Sequence, residues 1–137
     1  MGIEWVTRIP NKIFTRVKAE FSEKIKTKYK MTSSNFSTVG SSDTPAVFPF
    51  VCIQTLEPVE TGEDLERTSI NGGIFTFQVD VYDNVSQTNA KSVMTEVLRI
   101  MKSMGFKCIS IPTFNSSKDV HRMTARFRRS IDENDIL

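Results

Sequence analysis

The residues best suited to bind charged groups form a run of arginines near the end of the chain, in HRMTARFRR at residues 121–129. Successive side chains of an extended strand alternate between its two faces, so Arg122, Arg126 and Arg128 share one face. Three interpretations of this row are open. The arginines could form ion pairs with carboxylates on a neighbouring strand, such as Asp80. They could instead contact another subunit or a partner, where arginine is enriched, or bind phosphate.

Acidic residues concentrate in a second segment, EPVETGEDLE at residues 57–66, which holds five carboxylates. Their positions do not follow the fixed ligand spacing of a cation-binding loop. The segment therefore predicts a solvated acidic connection over residues 57–73, closed by a turn at Gly72–Gly73. The net charge is only +2, which by itself implies neither a nucleic-acid nor a membrane partner.

A third charged surface is predicted near the start of the chain. Apolar residues recur at gaps of three and four from Pro10 to about Tyr29, which indicates one amphipathic helix with Pro10 in its first turn. The opposite face is rich in lysine and includes Lys24 and Lys28. This face is either solvated or a cationic contact surface.

Residues for catalysis or metal binding are sparse. The chain has a single histidine, His121, and two cysteines, Cys52 and Cys108, which lie in apolar stretches and read as reduced, buried thiols. A zinc site would need further ligands, and no glycine-rich phosphate loop or hydrolase motif is present. The sequence therefore predicts no enzyme, no cofactor and no metal.

The periodicity of the apolar residues predicts the element order α-β-β-α-β-β. The expected elements are helices at 10–29 and about 86–104, and strands at 47–56, 74–84, 106–111 and 120–131. Pro112 is expected to end the strand that precedes it. This order predicts an α+β fold, with a mainly antiparallel four-stranded sheet and two amphipathic helices packed on one face.

One domain is expected over residues 1–137, since about 100–200 residues are usual for a domain. Residues 31–46 and 57–73 are predicted as long loops, and the acidic tail at 132–137 as frayed. No apolar run approaches the roughly 18 residues of a membrane-spanning helix. The N-terminal residues lack the features of a secretory signal.

The order and spacing of five segments resemble the small tail terminator proteins of long-tailed bacteriophages. These proteins are also called tail completion or head–tail joining proteins, and the likeness is greatest to the form in phages of Gram-positive bacteria. The resemblance covers about residues 9 to 131. The segments that carry it are NKIFTRVKAEF, PAVFPFVCIQ, IFTFQVDVYDN, AKSVMTEVLRIMKSMGF and HRMTARFRRSI.

The resemblance implies a structural protein of the virion that needs no cofactor. Proteins of this family are single α+β domains that assemble into a hexameric ring on the completed tail tube, stop its growth and present the surface that joins the head. The implied partners are further copies of the chain, the tail tube protein and neck or head-completion proteins. DNA would pass through the lumen without sequence-specific binding. The implied location is the tail–neck junction, after assembly in the bacterial cytoplasm.

A ring requires one surface of each copy to meet a different surface of the next. We therefore expect Arg126 and Arg128 to contact Glu63, Asp64 or Glu66 of a neighbouring copy.

The lysine-rich helix face, with Lys24 and Lys28, is expected to point outward or into an interface, because positive charge in the lumen would hold DNA phosphates. Two alternatives stay open. One is another neck component, such as a head-completion or adaptor protein, and the other is a small DNA-binding phage protein.

Overall fold

Three helices and six strands are formed by the residues that the structure describes. It is a computed structural model that describes residues 4–38, 47–63, 70–115, 120–132 and 135, with the backbone alone at 60–63 and 70–71. The helices are α1 (Glu4–Glu20), α2 (Glu23–Tyr29) and α3 (Gln87–Ser103), and a short 3₁₀ turn spans Ser33–Asn35. The strands are β1 (Phe36–Ser37), β2 (Phe50–Thr55), β3 (Val59–Glu63), β4 (Ile70–Asp83), β5 (Lys107–Phe114) and β6 (His121–Asp132).

The strands form one mixed sheet around the long strand β4. Five of them follow the order β1-β2-β4-β6-β5, and β3 pairs with the first part of β4. Only β1 and β2 pair in parallel; the other pairs are antiparallel. The predicted α+β class and mainly antiparallel sheet are therefore confirmed. The predicted number of four strands is wrong, because β1 and β3 lie in segments that the sequence indicated as loops.

The main core lies between one face of the sheet and the helices. Alternate residues of β4 on this face, from Phe75 to Val81, are buried together with alternate residues of β6, from Met123 to Ile131. The apolar stripes of α1 and α3 belong to the same cluster. This confirms the prediction that the amphipathic helices pack on one face of the sheet.

The predicted single helix at 10–29 is two helices, and the first begins before Pro10. The apolar stripe continues upstream of the proline: Trp5 packs edge-on against Phe75, with ring centroids 6.0 Å apart, and Ile9 is buried. Pro10 therefore lies inside α1 rather than in its first turn. Packing of this stripe on the sheet outweighs the hydrogen bond that a proline removes.

The break between α1 and α2 is held by two residues of α3. The backbone N–H of Ser22 donates to Glu96 at 2.6 Å, and Arg99 donates to the carbonyl of Glu20 at 3.0 Å. Ser22 also caps α2 by accepting from the backbone N–H of Ile25. The end of α1 and the start of α2 thus each have a hydrogen-bond partner for main-chain groups that a helix end otherwise leaves unsatisfied.

Two features that were predicted to end an element, the Gly72–Gly73 pair and Pro112, lie inside strands. Gly72 and Gly73 do not form a turn but lie inside β4, paired with both β3 and β6. A Cβ at Gly73 would lie 3.3 Å from the carbonyl oxygen of Val59, so glycine permits the close approach of β3. Pro112 does not end β5, which runs on to Phe114. It lies on a strand with one neighbour, between two register positions where pairing is irregular, and there a missing N–H is tolerated.

The connection from β4 to α3 lies where the sequence predicted a strand to end, at residue 84, and a helix to begin, at about residue 86. Asp83 ends β4 and accepts from the backbone N–H groups of Val85 and Ser86, each at 2.9 Å. Ser86 is the N-cap of α3 and accepts from the backbone N–H of Asn89. At the other end Gly105 has φ of 86°, the left-handed conformation in which glycine follows a helix.

Candidate interaction surface

The arginine row lies on the face of the sheet opposite the helices. The strand register places Arg122 beside Tyr82, Arg126 beside Gln78 and Arg128 beside Thr76. No described helix covers this face, since the helices contribute to the core on the other side. Arg126 and Arg128 are exposed on this face and available for contacts, whereas Asp80 and Tyr82 are buried.

Asp80 is the centre of the hydrogen-bonded part of this face. Its carboxylate is buried and accepts from Thr124 Oγ1 at 2.5 Å and from Arg122 Nη2 at 3.1 Å. Gln78 donates to its second oxygen at 3.2 Å. The guanidinium of Arg122 also lies over the ring of Tyr82, 5.5 Å from its centroid. The first interpretation of the row, an ion pair with Asp80, thus holds for Arg122.

Arg126 and Arg128 are arranged differently from Arg122. Arg126 is exposed and donates to the amide oxygen of Gln78 at 3.1 Å, with no ion pair to a described residue. Arg128 is also exposed and lies directly opposite Lys107 of β5. We call Lys107, Arg126 and Arg128 the cationic row. Like charges directly opposite each other in a sheet repel, so the row favours an anionic partner.

Of the predicted carboxylate partners, the structure describes only the backbone of Glu63, which lies at another margin of the sheet. Glu63 is the last residue of β3, and its backbone pairs with Ile70 of β4. Asp64 and Glu66 lie outside the described residues. β3 and β5 are on opposite sides of β4 and β6. The expected contact between arginines and carboxylates is therefore not made within one copy by the described residues, and its formation between copies stays a prediction.

The two lysines chosen from the N-terminal helix lie on α2. Lys24 is exposed, and the ammonium of Lys28 lies 5.3 Å from the ring centroid of Tyr29. Because α2 begins after the break at Ser22, these lysines belong to a different helix from the lysines of α1. Lys18 of α1 and Lys26 of α2 do line one small cavity of about 130 Å³. Its floor includes the buried side chains of Met31 and Phe36.

The sequence did not single out β5 as a surface element. Ile111 is 76% exposed and Ile109 and Phe114 are each 39% exposed, an unusual set for one strand. The alternation FKCISI indicated an ordinary short strand, and the order of strands in the sheet was needed to place it at the margin. Lys107 was missed for the same reason, since only the register brings it opposite Arg128.

The acidic tail has one fixed point. Asp135 forms an ion pair with Arg129 at 3.1 Å and accepts from the backbone N–H of Asp132 at 2.7 Å. Asp132 is itself the last residue of β6. The tail was predicted to be frayed, but Asp132 and Asp135 each have a defined contact. Arg129, on the helix-packed face, supplies the partly buried cation that pairs with Asp135.

The described residues contain no group of three or more histidine, cysteine or acidic side chains placed to hold a metal ion. Cys52 is buried and Cys108 is partly buried, and neither forms a disulfide bond with a described residue. Within the described ranges no helix is long and apolar enough to cross a membrane. Comparison of the chain with protein-family models and with curated proteins finds no match in either set.

Proposed function

We propose that this chain is a structural tail terminator of a long-tailed bacteriophage. Copies of the chain form a ring that caps the tail tube, ends its polymerisation and offers the surface to which the head joins. The role is an assembly role and requires no catalysis or cofactor. The chain acts in the virion at the tail–neck junction.

The observation that carries the proposal is that the cationic row and β3, which belongs to an acidic segment of the sequence, lie on opposite sides of one sheet. The cationic row lies on β5 and β6, whereas the acidic segment 57–66 includes β3 at the other margin. A ring of identical copies needs two different surfaces that fit each other, and these two have opposite charge. The resemblance of the sequence to tail terminators is the reason for proposing a ring that caps a tail tube.

The α+β architecture supports the proposal at a coarser level. One face of the sheet is packed with the helices that form the core, and the other face carries polar and charged side chains. A domain built in this way keeps its core intact while exposed side chains on the other face, such as those of Arg126 and Arg128, stay available to other subunits.

The proposal is tested by electron microscopy of a lysate in which the gene for this chain is inactivated. Overlong, irregular tails beside DNA-filled heads without tails are expected, because tube growth has lost its stop. Supplying the chain from a plasmid should restore a narrow distribution of tail lengths. Tails of normal length beside heads that fail to join would assign the chain to the head side of the neck instead. Intact infectious particles would refute an assembly role.

One observation favours a second candidate function, binding to nucleic acid. The members of the cationic row have no ion pair with any described carboxylate, so they could contact phosphates. Such binding falls steeply as salt rises. A gel shift with duplex DNA distinguishes the two functions: retardation at low salt that is lost in the double variant Arg126→Ala and Arg128→Ala would support this candidate. Absence of retardation at low salt would remove it.

A further inference from the structure

Strands β5 and β3, at opposite margins of the sheet, each have an edge that no other described strand covers. Among the described residues β5 pairs only with β6, and β3 pairs only with β4. An uncovered edge presents main-chain N–H and C=O groups that can pair with a strand of another chain. We propose that β5 of one copy pairs with β3 of a second copy, so that neighbouring copies share one continuous sheet. This inference rests on the ring proposed above.

The side chains of β5 suit an edge that is covered in the assembled state. Natural edge strands are commonly protected by charged residues or by a covering segment. β5 has Lys107 and Pro112, two residues of that protective kind, but it also carries Ile109, Ile111 and Phe114, all exposed. In strand addition the main-chain hydrogen bonds supply affinity and the side chains supply anchors. Burying these three apolar side chains against a neighbour would remove them from water.

The lengths of the two strands are compatible. Pro112 cannot donate a main-chain hydrogen bond, so the part of β5 that precedes it and can offer donors to the free edge spans residues 107–111. This stretch is as long as β3, which has five residues. Val59, the first residue of β3, is 60% exposed and offers an apolar contact to the neighbouring edge.

The direction of the strands fits a ring. β5 and β4 run the same way, since each is antiparallel to β6. β3 runs opposite to β4. In a ring all copies point the same way along the axis, so β5 of one copy meets β3 of the next in the antiparallel arrangement. Two β5 edges could pair only through a two-fold axis, which gives a closed dimer and no ring.

Charge selects the same pair of edges. The cationic row adjoins the edge of β5, and the acidic segment 57–66 contains β3. Pairing β5 with β3 brings positive and negative segments to one interface, whereas pairing β5 with a second β5 brings two cationic rows together. Complementary potentials favour the first arrangement and disfavour the second.

The experiment uses phage tails that carry cysteine variants of this chain. All variants contain Cys108→Ser, because Cys108 is partly exposed while Cys52 is buried. One variant adds Val59→Cys and Ile111→Cys, and two others add only one of these. A matched control combines Ile111→Cys with Val85→Cys, since Val85 is 72% exposed and lies between β4 and α3, away from both edges. Isolated tails are treated with a short bis-maleimide and resolved on a denaturing gel.

The proposal predicts a ladder of covalent oligomers only from the variant with cysteines at 59 and 111. If the chain is present in the tails but gives no ladder, or if the Val85→Cys control gives an equally strong ladder, the pairing of β5 with β3 is refuted. Neither result would contradict the proposed ring. A dimer from Ile111→Cys alone would refute it in favour of pairing between two β5 edges. Absence of the chain from tails, with tails of normal length, would instead contradict the proposed function itself.

Discussion

Residues of one type in one row have different roles because the opposite strand differs at each position. Arg122, Arg126 and Arg128 are equivalent in the sequence pattern. The register places Arg122 within reach of the buried carboxylate of Asp80, while Arg126 reaches only an amide and Arg128 faces Lys107. The sequence could predict the shared face from alternation. It could not predict the partners, because these depend on which residues of β4 and β5 lie opposite.

Substitution Asp80→Ala should destabilise the isolated chain. Three side chains that donate to this carboxylate, those of Arg122, Thr124 and Gln78, would lose their acceptor. The expected loss is about 1–3 kcal/mol of unfolding free energy, the usual cost of leaving buried polar groups without a partner. Urea unfolding measures it. Arg126→Ala is the matched control and should change stability by less than about 0.5 kcal/mol, because its side chain is exposed. Equal losses in the two variants would contradict a central role for Asp80.

Among the helices and strands, the features that depend on residues close together in the chain were predicted well from the sequence. The apolar stripe of the N-terminal helix and the alternation of residues 121–129 in β6 both act over a few positions. The break between α1 and α2 was missed because it is fixed by Glu96, 74 residues away from Ser22. β1 and β3 were missed because polar residues and glycine give no strand pattern, and pairing with longer strands supplies the order.

The contact of Glu96 with the helix break should make stability depend on pH. Hydrogen bonds from Arg99 and from the backbone N–H of Ser22 lower the pKa of Glu96 below its ordinary value of 4.5. A carboxyl group whose pKa is lowered by folding stabilises the protein above the pKa of the unfolded chain, and this contribution is lost as pH falls through the lower, folded pKa. The contribution of Glu96 to the unfolding free energy is therefore expected to be constant near neutral pH and to decrease once the pH is below about 4.5.

Comparison with Glu96→Gln isolates this effect, since glutamine keeps the size and one acceptor oxygen of the side chain. The native chain should be more stable than the variant at pH 7, by roughly 1–3 kcal/mol for charge-assisted hydrogen bonds. The difference should shrink as the pH is lowered through the range in which Glu96 takes up its proton. Urea unfolding at several pH values provides the measurement. A difference that stays constant down to pH 3 would show that the charge of Glu96 does not matter.

In the whole molecule, repulsion between Arg128 and Lys107 is expected to lower the unfolding free energy of a single copy. An acidic neighbour in the assembled ring would offset this loss. Arg128→Glu would replace repulsion from Lys107 with attraction across the strand pair. We expect the isolated chain to gain about 0.2–1 kcal/mol of unfolding free energy. The same change should weaken incorporation into tails, because the proposed neighbour presents the acidic segment 57–66. Thermal unfolding and plaque counts after plasmid complementation measure the two effects. Full complementation by Arg128→Glu would argue against the charge-complementary interface.

If this chain caps one end of the tail tube, it should be found at a single place in the particle. Intact virions and detached tails can be labelled with gold-conjugated antibody against the chain and viewed by electron microscopy. We expect a single cluster of gold at the head–tail joint of virions and at one end of each detached tail. Gold on heads but not on detached tails, or along the length of the tube, would contradict it.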